Sequence, residues 1–157
     1  MSTIALLITK NKYPYHITIS NIIQTALESG HHSLTILDAD SYTQECLTEL
    51  NTLQPDVLIT LDLAGFHFRT QTGENALNMF CTKNLNLIWG NKPEYAPYLN
   101  KKLSMSMLFY DATGKDNQLP TFYPNMLYYK ALNKLTDADA FKAVWYDFTT
   151  EVLLPQA

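Results

Sequence analysis

Short apolar runs alternate along the chain with stretches in which apolar residues recur at every third or fourth position. Residues 3–9 (TIALLIT) form an uninterrupted apolar run of strand length, broken at 10–15 by KNKYPY. Residues 16–29 place Ile19, Ile22, Ile23, Ala26 and Leu27 at helical spacing, and Gly30 supplies a stop. A second strand is expected over 32–37. A helix follows, with Ser41 as its N-cap, Gln44 at the capping-box position, and Cys46, Leu47, Leu50 and Leu53 on its apolar face. Pro55 precedes a third strand over 56–63 (DVLITLDL), and a helix is expected over 74–82 after the polar loop 65–73. A fourth strand at 85–89, a short helix at 94–102 and a fifth strand at 104–110 continue the alternation. After a polar break at 111–121, Thr136 is the expected N-cap of a last helix. Phe141, Val144, Trp145, Phe148 and Val152 share one face of it.

Strand and helix in alternation predict parallel strands joined by crossovers, with helices on both sheet faces. The strands are apolar on both sides, as a doubly covered sheet requires. The expected fold is one α/β domain over 1–157: a doubly wound, mostly parallel five-stranded sheet, Rossmann-like or flavodoxin-like. The sheet core would occupy 1–112 and a helical extension 120–157. Strand orders 2-1-3-4-5 and 3-2-1-4-5 both fit. In either, ligands bind outside the carboxyl ends of the strands at the switch point.

The hydrophobic fraction of 46% over 157 residues suffices for a packed core. The net charge of -4 argues against a nucleic-acid binder, which needs a basic face. No apolar run approaches a membrane span, and the N-terminus reads as a strand rather than a basic leader, so a cytoplasmic protein is expected. Cys46 and Cys81 fit no zinc or redox spacing and read as reduced core thiols. No metal site is expected, because no histidine pairs with Cys, Asp or Glu at ligand spacing.

Known fingerprints are missing from the strand-end loops. The loop after strand one, TKNKYPYH, has no glycine, which excludes the GxGxxG turn; it also lacks the small residues of a flavin phosphate loop. There is no P-loop and no nucleophile elbow. Asp38 and Asp40 stand where a ribose-binding acid would sit, but without the glycine loop they read as a turn. No cofactor and no catalytic residue is therefore expected. The candidate ligand-binding residues are Lys10, Asn11 and His16 after strand one, Asp62, His67, Arg69 and Thr72 after strand three, and Asn91 after strand four. Arg69 beside a helix N-terminus would hold an anion, while Asp62 and Asn91 would bond hydroxyls. The expected ligand is a small anionic or polyhydroxy molecule, or a protein partner. Tyr128 and Tyr129, with the dipeptide Tyr123-Pro124, suggest a contact surface for a partner or a homodimer.

Asp62 ending strand three resembles a response-regulator receiver. The acidic pair after strand one is replaced by Lys10 and Lys12, however, and Asp111 stands where a lysine belongs, so at most a degenerate receiver-like module is implied. The stretch PDVLITLDLAGF followed by NLNLIWGNKPEY resembles the N-terminal half of GT-B-type glycosyltransferases, the CgeB-like group in particular. The matching positions are Asp56, Thr60, Asp62, Trp89 and Pro93. The resemblance implies an acceptor-side half, with the nucleotide-sugar site mainly in a second domain. His67 or Asp62 would then deprotonate an acceptor hydroxyl.

Overall fold

The computed structural model describes residues 3–40, 43–68, 71–73, 76–79, 83–89, 106–111, 126–131, 135 and 137–150. The elements are β1 (Thr3–Ile8), α1 (Tyr15–Ser29), β2 (Ser33–Asp38), α2 (Thr43–Leu53), β3 (Val57–Leu61), a 3-10 turn (Ala76–Met79), β4 (Asn84–Trp89), β5 (Ser106–Asp111), β6 (Met126–Ala131) and α3 (Ala138–Phe148). The core of the fold is an all-parallel sheet in the order β2-β1-β3-β4, consistent with a Rossmann-like or flavodoxin-like architecture. Of the two orders the sequence left open, this matches the one that begins 2-1-3. The backbones of β5 and β6 continue the parallel pairing beyond β4.

Strand alternation divides the core between the two faces. Ile4, Leu6, Ile8, Val57, Ile59, Leu61, Leu85 and Leu87 pack with Ile19, Ile23, Ala26 and Leu27 of α1 and with Phe141, Val144 and Phe148 of α3. Ala5, Leu7, Leu58 and Ile88 face the other way, onto Cys46 and Leu50 of α2 and the segment holding Leu63, Phe66, Phe68 and Leu77. Helices thus cover both faces. On this second face Thr60 donates its hydroxyl proton to Asn86 Oδ1 at 2.6 Å, a fully buried cross-strand polar pair.

Several local expectations change. Asp137, rather than Thr136, caps α3: its carboxylate accepts the Ala140 N–H at 2.9 Å, the N3 position that a cap serves. Thr136, Ser41 and Val152 lie outside the described residues, as do Cys81 and the whole of 94–102. Gly30 ends α1 with φ -90°, and the left-handed residue is His31 at φ 65°, whose N–H reaches the Glu28 carbonyl. Where a helix was expected over 74–82, the described part is a single 3-10 turn that buries Ala76 and Leu77. The extension expected over 120–157 contains both β6 and α3.

Candidate functional site

The order β2-β1-β3 places the switch point between β1 and β3, because the connections from these neighbours leave toward opposite faces. The loops after these two strands therefore face each other across one crevice. The first runs from Thr9 to Pro14 and opens directly into α1, which has Pro14 at its N-cap, no side-chain cap and no acidic residue in its first turn. The second begins at Asp62 and Leu63, with φ 53° and 59°. Aspartate tolerates the left-handed region, whereas leucine is strained there by about 1 kcal/mol. Leu63 is buried in the core, which offsets that cost. The Asp62 N–H is anchored on the Leu87 carbonyl at 2.8 Å.

These two loops bring Tyr15, His16 and Asp62 together. The Thr9 backbone N–H donates to His16 Nδ1 at 2.9 Å. A backbone N–H only donates, so Nδ1 is an acceptor and the imidazole proton sits on Nε2. Nε2–H in turn donates to Asp62 Oδ2 at 2.8 Å, and both side chains are fully shielded from solvent. The contact is thus a hydrogen bond from a neutral imidazole to a carboxylate. The Tyr15 hydroxyl donates to the same Oδ2. Burial, then the charge of Asp62 and this bond, push the Tyr15 phenol far above the usual tyrosine range, so it keeps its proton. The three rings of Tyr13, Tyr15 and His16 lie against one another with centroids 5.0–5.7 Å apart, Tyr15 edge-on to His16.

A second carboxylate organises the same loop. Asp40 Oδ2 accepts the consecutive backbone N–H groups of Asn11 at 2.9 Å and Lys12 at 3.3 Å. Consecutive amides converging on one point form the kind of concavity that binds phosphate in other α/β proteins. Here an internal carboxylate fills it.

Of the eight residues proposed from sequence, His16 and Asp62 meet at this site. Lys10 and Asn11 lie on its rim, both exposed. His67 is exposed, with its ring edge against Phe68 at 4.5 Å between centroids, and Thr72 lies in an exposed turn. Arg69 and Asn91 lie outside the described residues. The residues that sequence reasoning passed over are Thr9, Tyr15 and Asp40. The adjacent pair Tyr15-His16 at the start of a helix, opposite a strand-ending Asp62, was the available signal.

Elsewhere, an open depression of about 400 Å³ lies along α2, lined by Leu37, Asp38, Gln44, Glu45, Cys46, Thr48 and Glu49. It shares no residue with the triad. Burial, then Asp38 and Glu49, push the Cys46 thiol up to about 11. Among the described residues no group of three or more potential ligands could hold a metal ion, and no helix is long and apolar enough to cross a membrane. Comparison with protein-family models, with curated proteins and with solved structures finds no match to this chain.

Proposed function

We propose that the chain is a ligand-binding or regulatory domain without catalysis of its own. Its ligand is a neutral polyhydroxy molecule held at Asp62, in the crevice between the ends of β1 and β3. The observation that carries this reading is the Asp62 carboxylate itself, fixed at the switch point by the His16 bond and the Leu87 carbonyl. A general base needs a nitrogen turned toward substrate. Both ring nitrogens of His16 are instead hydrogen-bonded to protein groups, which favours a positioning role. The anionic alternative loses support at the first loop, because Asp40 already holds the Asn11 and Lys12 amides.

The test is a thermal-shift and calorimetry panel of neutral sugars, inositol and nucleosides against phosphate, sulfate and sugar phosphates. A true ligand at about 100 times its Kd stabilises by roughly 2.7 kcal/mol, a rise of about 5–10 °C for a chain of this size. A neutral polyhydroxy compound should give that rise, and Asp62→Asn, which keeps a side chain tolerant of the left-handed backbone, should abolish it. A response confined to the anions would overturn the reading.

A second reading makes that ligand the sugar acceptor of a glycosyltransferase-like half. It is favoured by Asp62, a position of the resembling motif that lies at the site. The motif positions Asp56 and Thr60 serve the sheet: Asp56 accepts the Thr3 N–H at 2.9 Å, and Thr60 bonds Asn86. Strong binding of a nucleotide sugar by the chain alone would count against this second reading.

A further inference from the structure

The open depression along α2 has a floor and a rim of different chemistry. Leu37 and Cys46, 9% and 5% exposed, form the floor. The rim carries Glu45, Thr48 and Glu49, all exposed and on one face of α2 by their spacing, together with Asp38 at the end of β2. We propose that this depression binds an aliphatic diamine, with its ammonium groups on the carboxylates and its methylene chain on the floor. None of these residues belongs to the Asp62 site, and the diamine site stands or falls apart from it.

The charge is concentrated on this side of the chain. Residues 33–66 hold six acids and no Lys, Arg or His, while the rest of the sequence has more bases than acids. Glu45 and Glu49 are four positions apart on α2 and repel one another. Among the described residues no basic side chain pairs with either. Asp38 accepts the Asp40 N–H with Oδ1 and adds its own charge from the strand. A cation seated on the two glutamates relieves their repulsion.

The floor is a separate sign of a ligand. The Cys46 thiol is more than nine-tenths buried, lines the depression, and among the described residues has no hydrogen-bond partner. Burial, Asp38 and Glu49 keep it protonated. The floor is therefore neutral, and a leucine and a polarizable sulfur suit methylene groups. At about 400 Å³ the depression has the size of a small-molecule site. A hydrated metal ion would leave that floor unused, and among the described residues no group of three or more potential ligands could hold one. An organic cation uses both rim and floor. One ammonium leaves the rim net negative; two joined by methylenes match it more closely.

The probe is hexamethylenediamine, titrated by calorimetry at fixed ionic strength. The controls are hexanediol, which has the chain alone, and magnesium chloride, which has the charge alone. The parent should bind the diamine and neither control. Glu45→Gln/Glu49→Gln should weaken the diamine about threefold to tenfold, the worth of two exposed ion pairs. Saturating diamine should also slow the iodoacetamide reaction of Cys46 several-fold in the parent and not in the double variant. Magnesium binding as strongly as the diamine would mean diffuse charge attraction, and hexanediol binding as strongly would mean the floor alone; either overturns the proposal. So does a double variant that binds like the parent, or a Cys46 rate that the diamine does not change. If circular dichroism shows the double variant unfolded, Thr48→Lys decides. Its ammonium stands among the same carboxylates and should displace the diamine, and unchanged binding would overturn the site.

Discussion

Replacing His16 separates the two hydrogen bonds that fix the site, because different amide side chains imitate different ring nitrogens. Asparagine places its oxygen near the position of Nδ1 and reaches no further, so His16→Asn keeps an acceptor for the Thr9 N–H and loses Asp62. Glutamine places its amide nitrogen near Nε2, so His16→Gln keeps a donor for Asp62 and loses Thr9. His16→Leu loses both. A buried backbone N–H left without its acceptor costs about 1–3 kcal/mol, and a lost bond to a charged group about 1.5–3 kcal/mol. The imidazole is fully buried, so water does not replace either partner. The leucine variant should therefore lose roughly 3–5 kcal/mol, and the two amide variants roughly 1–3 kcal/mol each. Urea unfolding reads this as a lowered midpoint at unchanged slope. In melting temperature the leucine variant should fall by roughly 6–20 °C. Two results would refute the assignment: His16→Gln as unstable as His16→Leu, or His16→Leu within about 1 kcal/mol of the parent, which is less than the single lost bonds cost. An imidazole nitrogen spectrum showing the proton on Nδ1 would refute it independently.

Three further outcomes follow from the titrating groups. The unfolded chain releases the Tyr15 proton near the ordinary tyrosine value of about 10, while the folded chain, which raises that value, holds it; stability should fall as pH rises past that point, and Tyr15→Phe should flatten the fall in urea midpoints. His32, edge-on to Trp145 of α3 at 5.4 Å, has its pKa lowered, chiefly by burial. Below about pH 6.5 the unfolded state takes a proton that the folded state resists, so this contribution to stability is present above that pH and is lost as pH drops through the folded value; a His32→Gln variant as acid-sensitive as the parent between pH 7 and 5 would contradict it. Cys46, pushed up to about 11, should react with iodoacetamide at pH 8 on the order of a hundredfold more slowly in the folded chain than in urea, as read by mass spectrometry of its peptide; equal rates would place the thiol outside the core.

The four strands of the core, β1 to β4, were legible because their patterning is redundant, whereas β6 falls in a segment expected to be helical. In β1 and β3 nearly every position is apolar on both sides, which only a doubly covered sheet demands, and the structure buries these residues in two separate clusters. Element ends were less legible, since capping depends on one hydrogen bond. Thr136 and Asp137 are both good cap residues, and the choice of Asp137 rests on its reach to the Ala140 N–H. The helix expected over 74–82 was inferred from clustered apolar residues. Its described part, Ala76–Met79, is a 3-10 turn that buries Ala76 and Leu77 in the core, while Phe80 and Cys81 lie outside the described residues.

Of the residues that meet here, His16 and Asp62 stood out in the sequence one by one but not as a pair, and strand order is the physical reason. His16 follows β1 and Asp62 follows β3, 46 positions apart. In the order 3-2-1-4, strand one would lie beside strand four, and His16 would face the residues after β4. In the observed order β1 lies against β3, with Leu7 in register with Thr60. That register brings Thr9 and Asp62, each two residues further along its strand, to the same level across the crevice. The single unknown that the pattern left open, which strand neighbours β1, thus decides whether His16 has a carboxylate to bond. The Tyr15 donor depends on the same choice, since its partner is also Asp62. Asp40 follows from the pairing on the other edge: β2 runs parallel to β1 with Ile8 opposite Asp38, which carries Asp40 under the amides of Asn11 and Lys12. Two parallel registers, on the two sides of β1, therefore convert four scattered polar residues into one arrangement, with Asp40 on the Asn11 and Lys12 amides and with Tyr15 and His16 on the Asp62 carboxylate.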